Sequence, residues 1–154
     1  MPRHASTVVV VREGARGLEV FCVLRHAQSS FLGGAVVFPG GKVDPSDASD
    51  AWSTRATALH PRAEALNEAF APASPPVTAR ALAVAACRES LEEARIVPLD
   101  EPLAEAELEA LHAEIVASPL SLAAALGRAG RRLALDALVP WARWVTPTAE
   151  SRRF

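Results

Sequence analysis

The chain has 154 residues, of which 50% are hydrophobic and 22% charged, and its formal net charge is -2. That is the size and composition of one globular domain, and it argues against a disordered tail protein and against a collagen-like or repeat array. The near-neutral balance lacks the basic footprint of a general nucleic-acid binder, so a DNA or RNA partner is disfavoured while a small phosphorylated molecule is not.

The two cysteines, Cys22 and Cys87, match no metal-knuckle or redox spacing, which fits free thiols in a reducing compartment. The Val-rich run Val8–Val11 is too short for a signal peptide or a membrane span, so no membrane partner and a cytoplasmic location are expected. Lys42 is the sole lysine among sixteen basic residues.

In chain order, Ser6–Arg12 and Leu18–Arg25 are strand-like and flank the glycine-containing Glu13–Gly17, which predicts a hairpin. After the loop His26–Gly34, the short apolar run Ala35–Phe38 reads as a buried strand that stops at Pro39-Gly40-Gly41. From Asp44 to Pro76 the composition shifts to Pro, Ser, Asp and Ala, with a helix expected over Pro61–Phe70. The part of it from Asp47 to Ser74 is expected to lie outside the sheet and to shape substrate access. A long helix free of Gly and Pro opens at Val77-Thr78 and runs to about Arg95. Ile96–Leu99 suggests a short strand, Leu103–Ser118 and Leu120–Ala129 two helices, and Trp141–Val145 a last strand before Thr146-Pro147; Leu133–Val139 is ambiguous. Trp141 and Trp144 fit core or rim anchors. The order predicts a single α/β or α+β domain, a sheet flanked by helices with an inserted segment at about 45–76.

Three carboxylates stand out on the long helix. With Glu89 at zero and about 100° per residue, Glu92 falls at about 300° and Glu93 at about 40°, so all three share one sector. Val84, Cys87, Leu91 and Ala94 form the opposite, apolar side, although Leu82 and Ala85 fall on the carboxylate side. Like charges three and four apart repel by a few tenths of a kcal/mol per pair, and a hard divalent cation relieves this. Arg88 lies beside Glu92 and is placed to pin it. A Glu cluster alone is more often a solvated face. Gly40-Gly41-Lys42, directly after the Phe38-Pro39 strand end, is the second piece: glycines there let backbone approach a ligand.

Gly40-Gly41-Lys42 followed by Arg88-Glu89-Ser90-Leu91-Glu92-Glu93 resembles the Nudix box. The resemblance implies a Nudix fold, a mixed sheet sandwiched between helices, with Mg²⁺ or Mn²⁺ held by Glu89, Glu92, Glu93 and the Gly40 carbonyl. It also implies hydrolysis of a diphosphate linkage by an attacking water, with Glu89 and Arg88 as the catalytic residues; Lys42 and Arg25 are the candidates for phosphate contacts. Glu89 is one candidate for the general base, because related enzymes place the base elsewhere.

Two departures accompany the resemblance. The spacer from Gly41 to Arg88 is about 33 residues longer than usual, which leaves the box-proximal glutamate without a counterpart; Asp44 and Asp47 are the nearest carboxylates. Arg95 stands where the box has glycine and Ser90 where it has an aliphatic residue, so a different helix exit is expected. A Nudix subgroup that includes a coenzyme A diphosphatase of peroxisomes carries such an insertion. This chain is also similar to it in Ala83–Glu89, in Leu138–Pro147 and in Arg152-Arg153-Phe154, which makes coenzyme A or acyl-CoA the first substrate expectation. In the family this last stretch leads into further strands, so truncation after Phe154 and self-association, a homodimer included, are expected. The rival is a catalytically silent nucleotide- or protein-binding module.

Overall fold

The computed structural model describes residues 3–28, 33–69, 77–118 and 122–147, with side chains at 67–69 left aside. Six short strands come first: β1 Ala5–Thr7, β2 Val11–Gly14, β3 Gly17–Val20, β4 Val23–Leu24, β5 Val36–Val37 and β6 Gly40–Lys42. Five helices follow: α1 Trp52–Arg55, α2 Arg62–Ala69, α3 Ala79–Ala94, α4 Glu105–Ala117 and α5 Leu122–Arg128.

The expected hairpin is β2–β3, antiparallel with Gly14 opposite Gly17 around a two-residue turn. It is shorter than the apolar runs suggested, because Val8 leaves it to pair with the segment ahead of the glycine turn. The Val8 amide donates to the Pro39 carbonyl at 3.0 Å, and β1 runs antiparallel to β6 with Ser6 opposite Gly41. β4 pairs with β5, and the Arg25 amide extends that ladder to the Ala35 carbonyl. The strands thus form three two-stranded ladders. The run Ala35–Phe38, expected to be buried, is not: Val36 is 68% exposed.

The core belongs to the helices. Val84, Cys87 and Leu91 of α3 pack with Trp52, Leu111, Ile115, Leu122, Leu126, Leu133 and Leu135. α3 is more central than a one-sided amphipathic helix, since Ala81, Ala85 and Ala86 are buried as well and β1, β6, α2, α4 and the 3₁₀ turn Pro45–Ala48 all touch it. Small alanines on its second side let these neighbours approach, which is why Ala85 on the carboxylate side did not break the fold. Thr78 caps the helix by accepting from the Ala81 amide at 3.1 Å, a contact typically worth about 1 kcal/mol.

The inserted segment forms no strand of the three ladders, but it is not peripheral. Trp52 is 2% exposed inside the core, and its Nε1 donates to the Ser46 carbonyl at 2.9 Å. Around Leu133 the Thr57 amide donates to its carbonyl and its own amide donates to the Arg55 carbonyl, at 2.8 and 2.9 Å. The expected helix over Pro61–Phe70 is α2; Phe70 itself and residues 71–76 lie outside the described residues.

Ile96–Leu99 contributes only a single bridge, Leu99 to Leu133. Trp141–Val145 is not a strand, and neither tryptophan is an anchor: Trp141 and Trp144 are each 80% exposed. The motif Arg152-Arg153-Phe154 lies outside the described residues. Among the described residues no helix is long and apolar enough to cross a membrane.

Candidate active site

Two elements meet at the site, the glycine turn carried by β6 and the second half of α3. The Gly40 amide donates to Glu93 Oε2 at 3.1 Å. A Cβ on Gly41 would sit 2.3 Å from the Glu89 carboxyl carbon, and a Cβ on Gly40 would sit 2.4 Å from the Ser6 carbonyl oxygen of β1. Gly40 is therefore required by close approach to the backbone of the neighbouring strand, whereas a side chain at Gly41 would push the Glu89 carboxylate out of its place.

Arg88 organises the carboxylates. It is 2% exposed, and its five N–H groups reach five acceptors. Nε donates to Asp47 Oδ1 at 3.0 Å and Nη2 to Asp47 Oδ2 at 3.0 Å, a two-pronged buried pair. Nη1 donates to Glu89 Oε1 and to Glu92 Oε1, both at 3.0 Å, and Nη2 to the Lys42 carbonyl at 2.8 Å. Burial works against the guanidinium charge, but the bonds and charge of Asp47, then Glu92 and Glu89, outweigh it and hold Arg88 cationic above its ordinary range. Asp47 is fixed in turn by the Asp44 amide, which donates to its Oδ2 at 2.8 Å.

The three glutamates are placed differently. Glu89 is the most enclosed: burial raises its carboxyl above the usual range, Arg88 opposes that, and Glu92 and Glu93 add to it. Glu92 is a fifth exposed and tied to Arg88, while Glu93 turns to the Gly40 amide. Among the described residues no three His, Cys, Asp or Glu side chains are gathered around one point as a cation cage. The donor set nonetheless suits a hard cation, since every available ligand is a carboxylate or carbonyl oxygen and Arg88 engages only Oε1 of Glu89 and Glu92.

Lys42 is exposed at the end of β6, where only its carbonyl is joined to Arg88. Arg25 sits in the β4–β5 ladder, with a buried Nε that has no hydrogen-bond partner. Cys87, on the core side of α3, has its thiol pushed up to about 12 by burial and then by Asp47, so it is an inert neutral thiol. A hollow of about 470 Å³ opens between 47–53 and the first turn of α3, bordered by Asp50, Glu64 and Arg80. It lies at the opposite end of α3 from Glu93.

The helix exit keeps the backbone that glycine would favour. Arg95 has φ 55°, its amide donates to the Leu91 carbonyl, and the Ile96 amide donates to the Ser90 carbonyl. Ser90, in place of an aliphatic side chain, is buried and donates from Oγ to the Ile96 carbonyl at 2.7 Å, so its hydroxyl ties down the same turn. The residue the sequence left without a role is Asp47. A signal for it existed: Arg88 lies between the core positions Cys87 and Leu91, and a buried guanidinium requires a carboxylate partner.

An α+β domain with a glycine turn seated on a helix of three glutamates defines the class. No family model matches the chain, and no curated protein matches it. Among solved structures it is similar to the crystal structure of a NUDIX hydrolase from Alicyclobacillus acidocaldarius, with 32% identity, a TM-score of 0.72, and coverage of 100% of this chain and 66% of that one. The chain thus spans just under two thirds of that protein's length. It carries the Nudix fold, and the likeness supports placing it in the Nudix family.

Proposed function

We propose that the chain is a Nudix hydrolase that uses Mg²⁺ or Mn²⁺ to cleave a diphosphate linkage in a nucleoside diphosphate derivative. The observation that carries this reading is Arg88, buried and fully bonded, fixing Glu89 and Glu92 beneath the Gly40–Gly41 turn that receives Glu93. Glu89, Glu92, Glu93 and the Gly40 carbonyl would hold the cation, which when bound neutralises the diphosphate and lowers the pKa of an attacking water.

The protein's own groups divide the remaining work. Glu89, the carboxylate held by Arg88 beneath the glycine turn, takes the proton of the attacking water as the water oxygen bonds to phosphorus and the bridging P–O bond breaks. The leaving group departs as a phosphate ester. Arg88 holds Glu89 in place, and Lys42 and Arg25 contact the phosphates. Coenzyme A or an acyl-CoA is the first choice of substrate, and the inserted segment shapes access to the site.

The test is product release from a panel of nucleoside diphosphate derivatives, coenzyme A and acyl-CoA, with and without Mg²⁺ or Mn²⁺. Glu92→Gln and Glu93→Gln are each expected to keep the parent's melting temperature within a few degrees and to lose metal-supported turnover by at least about 100-fold. Parent-like turnover in both variants at saturating metal would overturn the assignment. A silent panel with tight ligand binding would favour a binding module instead.

A further inference from the structure

The last four carbonyls of a helix have no partner within it. At the exit of α3 the Leu91 carbonyl is closed by the Arg95 amide at 3.0 Å, and just before it the Ser90 carbonyl accepts from the Ile96 amide at 3.2 Å. The Glu92 carbonyl lies beyond these closing bonds, and His112 Nε2 of α4 stands 3.0 Å from it. A carbonyl only accepts, so Nε2 carries the proton. The imidazole comes from a rigid place: its neighbour Leu111 and, one turn on, Ile115 are core residues. One turn back on α4, Glu109 is paired with Arg95 at 3.8 Å, so the same face of α4 meets the α3 exit twice.

We propose that His112 is a positioning residue for the carboxylate turn, donating to the Glu92 carbonyl and thereby setting the height of Glu92 and Glu93 against the glycine turn. This rests on the reading of those glutamates as cation ligands. Without the bond the Glu92 carbonyl loses its partner and the final turn of α3 is held less firmly, so both carboxylates shift against the glycine turn while Arg88 and Asp47 stay in place. With Nε2 engaged by the Glu92 carbonyl, His112 acts through the backbone of Glu92.

The test uses Mn²⁺ alone, titrated into the full chain and followed by loss of the free-ion paramagnetic resonance signal, for the parent, His112→Leu and His112→Gln. Leu keeps the volume without a donor, and the Gln amide restores a donor at similar reach. Leu is expected to weaken Mn²⁺ binding about tenfold and Gln to return it to within about threefold of the parent. Amide hydrogen exchange at Arg95 and Ile96 should quicken in Leu and recover in Gln. A lowered melting temperature with parent-like Mn²⁺ affinity in His112→Leu would reduce His112 to packing and overturn the proposal. If Leu fails to fold, His112→Asn, whose shorter amide falls short of the carbonyl, must bind Mn²⁺ more weakly than Gln; equal affinities overturn the proposal as well. A parent that binds no Mn²⁺ sinks the hydrolase reading and this one together, whereas a parent that binds and hydrolyses beside an unaltered Leu variant sinks this one alone.

Discussion

The helical part and the strand part of this molecule treat their apolar side chains in opposite ways. All twelve members of the core cluster lie between Trp52 and Leu135, and the six strands contribute none. Leu18 and Leu24 in the strands are 70% and 71% exposed, while Leu91 and Leu126 in the helices are fully buried. The contrast follows from the number of covered faces: α3 is touched from several sides, whereas a two-stranded ladder covers only its own width. The candidate site therefore stands on the helical part, and the strand part supplies to it the Gly40–Lys42 turn and, in the proposed reading, Arg25.

The sharpest way to break that contrast is to truncate one tryptophan from each part. Trp52→Ala should cost about 3–5 kcal/mol in chemical denaturation, because it opens a cavity within the core cluster, on the side of Leu122. Trp144→Ala, at a side chain 80% exposed, should change stability by less than about 0.5 kcal/mol. Equal losses would mean that the chain's end is part of the core after all.

The two cysteines probe the same contrast without mutation. Cys22 is exposed in the strand part; Cys87 is buried, with a thiol pushed up to about 12. At pH 8 that raised value keeps Cys87 protonated in the folded state, so it reacts with a thiol reagent only when the fold opens. Stopped-flow labelling should give one fast thiol and one slower by at least about 1,000-fold. Two fast thiols would show that the helical core opens freely.

An effect well below that of Trp52→Ala is expected at the border, where α3 ends. Arg95 holds a left-handed backbone at φ 55°, which costs a residue with a Cβ about 1 kcal/mol relative to glycine, and its ion pair with Glu109 is largely solvent-exposed. Arg95→Gly should raise stability by up to about 1 kcal/mol in urea denaturation. A loss of stability would show that the Glu109 pair outweighs the backbone strain.

Legibility in the sequence divides along similar lines. The carboxylate face was readable because 3.6-residue periodicity alone brings Glu89, Glu92 and Glu93 together, and the glycine turn because Gly40-Gly41 follows an apolar strand. The fold class was readable from the order of elements. What was not readable depended on contacts distant in the sequence. Asp47 and Arg88 are 41 positions apart, and no local rule chooses Asp47 over Asp44. Trp52 sits in a Ser-, Asp- and Ala-rich stretch that looks like surface, and its burial is decided by α3 and α5. Trp141 and Trp144 have strand-like spacing, but no ladder lies beside them among the described residues to receive it.

Arg88 also has a consequence for how a chain can lengthen. By gripping Asp47 it fixes one end of the inserted segment, and the Thr78 cap of α3 fixes the other. Between two pinned ends, the entropic cost of a flexible loop grows only with the logarithm of its length, about 0.6 kcal/mol for each doubling. Stretching the spacer from about 14 positions to 47 is under two doublings, on the order of 1 kcal/mol, and burying Trp52 along the way more than offsets it. A catalytic motif can therefore be split by a long excursion at little thermodynamic cost, provided that the split falls on the far side of a clamp. Length variation among relatives should then collect between Ala56 and Thr78 and leave the seven residues from Gly41 to Asp47 without insertion or deletion.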